Sequence, residues 1–320
     1  MAEDRNRSSA DGAGAMLGLA AGDQLAALQR PQGSAESLYG FRTQQAIVVA
    51  YHLMRWGEIR PEELSSELVA LAHSKDGPNA YRGAPTWFRQ FLSEREGGRT
   101  AAAPSGDGAA SLSLPIGLWY RGNVDQLVSD AIAAALITHR DGPSLAAAST
   151  YGGAVAAASF GQSGRDFLNA VSELAARTVA VLEADGDLDV AGAVSFAEAL
   201  RQADRWIDAR APDVISGCTE ELGPVGVVVA AVVIGAVARE LSEDALRATA
   251  TSAAVAPLVG GIIGARRGLA HWPWEMPNEL WFAEIGRRLA GQNRTFEDLP
   301  DPYAVEVSMV NPTWAPRRVF

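Results

Sequence analysis

The chain has 320 residues, 48% of them hydrophobic and 20% charged, enough to bury a sizeable core as one large domain and to exclude wholesale disorder. A net charge of −11 with no block of Lys or Arg argues against a nucleic-acid partner. Cys218 is the only cysteine, so an intrachain disulfide framework and a Cys-based zinc site are both excluded.

Helical periodicity dominates in chain order. Residues 13–28 place apolar side chains at three-and-four spacing, and 43–56 opens on Thr43 as a capping threonine and closes before Gly57. Pro61 starts a helix through Leu71, with Glu62 and Glu63 favourable to its dipole. Further helices are predicted over 124–138, 144–159, 167–183, 190–208, 225–241, 242–255 and 278–289. Only 303–310 alternates like a strand. The expected architecture is all-α: a disordered segment 1–10, one multi-helix domain over 11–292, and an extension over 293–320 packed on the domain or partly flexible. Val225–Val237 and Ala253–Ala265 are the most apolar runs, both below the ~18 residues that span a bilayer. The polar start lacks an apolar signal region, so a cytoplasmic protein with no membrane partner is expected.

Lys75 is the only lysine among many arginines, a bias of high-GC coding rather than mechanism. Gly260, Gly264 and Gly268 recur every four residues, which puts bare backbone on one stripe and lets a second helix approach closely. Tyr151-Gly152-Gly153 before an alanine run reads the same way. Asp185-Gly186-Asp187-Leu188-Asp189 begins like a calcium loop, but Val190 and Phe196 stand where that loop needs glycine and glutamate, so an acidic turn is expected. Glu220 and Glu221, before the helix at Val225, either face the pocket or are acids suited to a helix start. Cys218 has no basic neighbour in sequence and reads as a small buried hydrophobe. His52 and His73 read as structural, and His271, in Ala270-His271-Trp272-Pro273-Trp274, as part of a rigid aromatic corner.

Four segments in one order carry a resemblance. They are Gly14-Ala15-Met16-Leu17-Gly18-Leu19-Ala20-Ala21-Gly22-Asp23, then Ser105-Gly106-Asp107-Gly108-Ala109-Ala110 leading to Pro115-Ile116-Gly117-Leu118. Thr138-His139-Arg140-Asp141-Gly142-Pro143 follows, and last come Gly260-Gly261-Ile262-Ile263-Gly264-Ala265 and Pro277-Asn278-Glu279-Leu280-Trp281. Over roughly residues 11–289 the chain resembles the ADP-ribosylglycohydrolase family, including the dinitrogenase-reductase-activating glycohydrolases. The resemblance implies an all-α fold with a central cleft, and Asp23 in local structure rather than chemistry.

It also implies two magnesium ions held by an early Thr-Asp-Asp-Thr and a late Asp-Thr-Asp-Thr segment. Here those positions read Thr43-Gln44-Gln45-Ala46 and Thr251-Ser252-Ala253-Ala254, without a carboxylate. A further family acid falls on Arg30. Magnesium is a hard cation that sheds water reluctantly and is held by carboxylates and phosphates, so no metal and no cofactor is expected.

Three functional readings follow. In the first, the cleft binds an ADP-ribose-like or other small ligand, or a partner protein, without metal-dependent hydrolysis, using Thr43, Gln44, Gln45, Ser105, Gly106, Gly108, Thr251 and Ser252. Ser105–Ala110 is either an anion cradle of converging N–H groups or a plain helix connection; the resemblance associates it with the diphosphate of ADP-ribose. In the second, Asp107 and His139 perform metal-independent acid–base chemistry in that cleft. In the third, the chain is a structural scaffold. Homo-oligomerisation stays open.

Overall fold

A computed structural model describes residues 2–28, 39–72, 80–96, 105–186, 190–238, 243–249, 252–269, 276, 278–302 and 305. Every regular element among them is helical, as the periodicity predicts. In chain order these are α1 (Ala2–Leu28), α2 (Phe41–Trp56), α3 (Pro61–Ala72), α4 (Thr86–Glu96), α5 (Ser113–Trp119), α6 (Val124–Ala135) and α7 (Gly142–Ser159). They continue as α8 (Gly164–Asp185), α9 (Ala191–Arg201), α10 (Ala211–Leu222), α11 (Gly226–Val237), α12 (Glu243–Thr249), α13 (Val255–Arg267) and α14 (Glu279–Ala290).

The framework is a backbone-to-backbone contact. α1 lies in a seam between α13 and α14, with glycine facing glycine. A Cβ built on Gly14 would stand 2.3 Å from the Gly264 carbonyl oxygen, one on Gly18 1.9 Å from that of Gly260, and one on Gly12 2.2 Å from that of Gly286. The stripe expected at Gly260 and Gly264 thus meets a matching stripe on α1. Gly117 of α5 meets the Gly152 carbonyl oxygen of α7 similarly, at 2.2 Å. α7 is the central helix, buried nearly all round, which is why it is built of alanine, glycine and serine.

α11 is wholly apolar and buried along its length apart from Val237. Joined to α10 through the 3-10 turn Gly223–Val225, it makes a run, Ala211–Val237, of a length and hydropathy that meet the threshold for crossing a membrane. The two apolar stretches read from sequence were each too short for that. Of the most apolar window of the run, 67% is buried inside the protein, so core packing accounts for its composition.

Several boundaries differ from the sequence reading, for identifiable reasons. α1 begins at Ala2 rather than at residue 13, because its first turns are polar and carry no apolar period by which a helix is read. The predicted 190–208 helix breaks after Arg201 into the 3-10 turn Ala203–Trp206. The predicted 242–255 helix ends at Thr249, and Val255 already belongs to α13. α11 stops at Val237, where Ala238 turns extended. α4 and α10 have no counterpart in the sequence reading: α10 buries only Val214 and Cys218, too narrow a stripe to stand out. The strand-like stretch 303–310 lies almost wholly outside the described residues, as do His73, His271, Lys75, Arg30 and 187–189.

The start of the C-terminal extension is anchored. Arg288 grips Asp298 bidentately with two contacts of 2.7 Å, and the Tyr51 hydroxyl donates to the Pro300 carbonyl oxygen at 2.6 Å. Cys218 is buried, and burial pushes its thiol up to about 11, the behaviour of a packing residue rather than a nucleophile. Glu221 pairs with Arg205, and Glu220 accepts from Ser216 at 2.9 Å.

Candidate functional site

The site forms where the N-terminus of α2, the 105–112 loop and the entry to α7 converge. α2 has no side-chain cap of its own; its N-cap residue is Gly40, and Thr43 sits inside the first turn. The cap arrives from α1. Buried Asp23 accepts through Oδ2 from the Gly40 N–H (2.8 Å), the Thr43 N–H (3.1 Å) and the Thr43 hydroxyl (2.9 Å). A carboxylate at a helix start satisfies orphan donors and the dipole together, which gives Asp23 a local structural role.

The glutamines that follow are also engaged. Gln44 Oε1 accepts from the Arg82 N–H at 2.9 Å, and Gln45 Oε1 accepts from the Ser111 hydroxyl at 3.0 Å. Both residues are fully buried. Gln45 Nε2, Ser113 Oγ and Thr150 Oγ1 are buried without a hydrogen-bond partner. Such atoms are costly in a folded interior and mark an interior that a polar group would complete.

The loop is tied down at several points. The Ser105 hydroxyl donates to Asp141 Oδ1 at 2.7 Å, and the Gly106 N–H donates to Ser144 Oγ at 2.9 Å. Asp107 forms an ion pair with Arg42, whose guanidinium also lies over the Phe41 ring at 4.8 Å. Gly108 is required by space, since a Cβ there would stand 2.4 Å from the Trp87 ring and 3.1 Å from His139 Cε1. Asp141 caps α7 by accepting from the Ser144 N–H at 3.0 Å, ahead of the predicted start at residue 144. Asp-Gly-Pro at a helix entry is a readable cap signature.

His139 is 1% exposed. It shares a 2.7 Å hydrogen bond between Nδ1 and the Thr138 hydroxyl, meets Trp87 edge-on at 5.1 Å, and leaves Nε2 without a partner. Burial lowers its pKa below the ordinary histidine value, against the opposing pull of Asp141 and then Asp107. The native ring therefore refuses a proton that the unfolded chain accepts, and His139 costs stability as pH falls below ~6.5. Urea unfolding at about pH 7.5 and 5.5 should show wild type losing more stability on acidification than His139→Gln; equal losses would be the contrary result. His52 serves differently. Its Nε2 accepts the Arg60 N–H at 3.0 Å, so Nδ1 carries the proton and faces Glu67 at 2.8 Å, which leaves the ring a structural brace.

The structure thus brings together Thr43, Gln44, Gln45, Ser105, Gly106, Asp107, Gly108 and His139. Thr251 lies outside the described residues, and Ser252 is half-buried in the turn before α13, its N–H donating to the Thr249 carbonyl oxygen at 3.1 Å. Arg42, Trp87, Ser111 and Asp141 are site residues that the sequence reading did not single out. Among the described residues no three His, Cys, Asp or Glu side chains gather as a metal-binding group.

Among curated proteins nothing matches the chain. The family model described as ADP-ribosylglycohydrolase matches residues 5–298, nearly the whole length. With that match and the all-helical architecture, the chain belongs to the ADP-ribosylglycohydrolase family.

Proposed function

We propose that this family member uses its cleft to bind a small polar ligand, ADP-ribose-like or another metabolite, without magnesium-dependent hydrolysis. The observation that carries the reading is where the α2 oxygens go. The Thr43 hydroxyl is committed to Asp23, and the Gln44 and Gln45 carbonyl oxygens to Arg82 and Ser111. What Gln45 has left is an amide N–H donor, and the nearby Asp107 carboxylate is neutralised by Arg42. A pair of divalent cations needs anionic oxygen donors; this set offers hydrogen-bond donors and a guanidinium, so it does not fit the metal pair. The same donors suit a neutral or anionic ligand rich in oxygen.

A second reading has one observation in its favour. His139 Nε2 is unpartnered and its ring is held neutral by burial, which are the properties of a general base. Trp87 and Gly108 cover it, so a substrate reaches it only when that loop or Trp87 moves.

Calorimetric titration of the full chain separates these readings from the ancestral chemistry. ADP-ribose should bind with an affinity that changes by less than about twofold between magnesium and EDTA, and no ADP-ribose should be released from ADP-ribosylated arginine in either buffer. Tight magnesium binding by the protein alone, or hydrolysis that EDTA abolishes, would overturn the proposal. Metal-independent turnover lost in His139→Ala would select the second reading.

A further inference from the structure

A second polar region lies at the far end of α7. That helix is 18 residues long, so at 1.5 Å per residue its two ends are roughly 27 Å apart. There a pocket of about 570 Å³ opens between the start of α8 and the ends of α11 and α13, lined among others by Ser163, Arg165, Asp208, Arg266 and Arg267. Arg266 donates from Nε to the Gln162 carbonyl oxygen at 2.7 Å and from Nη1 to the Ala238 carbonyl oxygen at 3.1 Å. Its Nη2 is buried without a partner, and the group lies 5.3 Å from the Phe167 ring centroid. Among the described residues no carboxylate pairs with it. Burial and then the adjacent Arg267 lower its pKa to about 10, as desolvation and a like charge do to a cation. Arg267 is exposed and has no partner among the described residues.

Of the acids among the described residues, Asp208 lines the pocket itself. Asp204 pairs with Arg165 at 2.8 Å, Asp208 also acts on Arg165, and Asp166 stands in the first turn of α8. Ser163 precedes α8 without making a capping bond, so its hydroxyl satisfies none of the first-turn N–H groups. In a chain of net charge −11, two adjacent guanidinium groups without a carboxylate partner among the described residues, beside main-chain donors at the α8 start, form a surface suited to a bound anion.

We propose that this pocket is an oxyanion site for a phosphate group, with Arg266 and Arg267 as its charged contacts and Ser163 and the α8 start as its neutral donors. A phosphate monoester suits it better than a carboxylate, since its second charge and third terminal oxygen match two guanidinium groups plus a helix start. The site is separate from the cleft and does not depend on the reading given for it.

Inorganic phosphate and glycerol phosphate, each titrated into the full chain against chloride at matched ionic strength, test the assignment by calorimetry. Both should bind wild type; tighter binding of the ester identifies an esterified phosphate as the ligand, and tighter binding of the free ion identifies inorganic phosphate. Arg267→Gln, on an exposed side chain, should fold normally and weaken phosphate by about tenfold or more. Arg266→Lys keeps the charge but loses the planar fork, and should weaken it as well. Absence of binding to wild type, or unchanged binding in Arg267→Gln, would overturn the proposal.

Discussion

Gly18→Ala is expected to destabilise the protein by about 3 kcal/mol or more, above the usual cost of an overpacked core. Elsewhere in a helix this change would help, because alanine is the better helix former by roughly 1 kcal/mol. Here the new methyl would stand 1.9 Å from the Gly260 carbonyl oxygen and 2.6 Å from its carbonyl carbon, and the reciprocal contact from Gly260 is 2.0 Å. Both neighbours are backbone, so no side chain can rotate away. The helices must separate by more than an ångström, which loosens contacts along the whole seam from Gly12 to Gly22 and forfeits dispersion energy there. Urea unfolding measures the loss, with Gly122→Ala as control, since nothing lies within 4 Å of a Cβ at Gly122 and its change should stay within about 0.5 kcal/mol. An unchanged midpoint for Gly18→Ala would mean that the seam is looser than these distances.

The second large effect is at Asp23. Asp23→Ala removes one buried acceptor from three donors, the Gly40 N–H, the Thr43 N–H and the Thr43 hydroxyl. Water has poor access, because Asp23 is 1% and Thr43 0% exposed. Leaving buried donors unsatisfied costs about 1–3 kcal/mol for each group that finds no substitute, so a total near 3 kcal/mol is expected. Asp23→Asn keeps the shape and one oxygen but loses the charge, and should fall between wild type and Asp23→Ala. Amide exchange locates the damage: protection should drop first at Gly40 and Thr43, whereas uniform loss throughout the fold would contradict a capping role.

The site was partly legible. Gln44, Gln45, the 105–110 loop and His139 stand out because each lies in a segment of recognisable order, and the structure assembles them around the α2 start. The partners that decide their chemistry did not stand out. Arg42 and Asp107 are 65 residues apart in sequence, and Asp23 caps a helix that begins well after it. Trp87 lies on α4, a short helix following Pro85 that the periodicity reading passed over. Asp141 was the exception in principle, since Asp-Gly-Pro marks a helix entry at short range.

Composition and periodicity by themselves determined that the chain is all-helical and that it buries a large core, because each of these is a property of neighbouring residues or of residue type; that amides stand where acids are expected in the early motif follows only from the family resemblance. Only tertiary structure decided that Asp23 caps α2, that the Gln44 and Gln45 carbonyl oxygens are already occupied, that Arg42 neutralises Asp107 and that Arg266 has no carboxylate partner among the described residues. Hydrogen bonding and charge pairing depend on which distant segments pack together, and close helix packing sets those neighbours over separations that local pattern does not record.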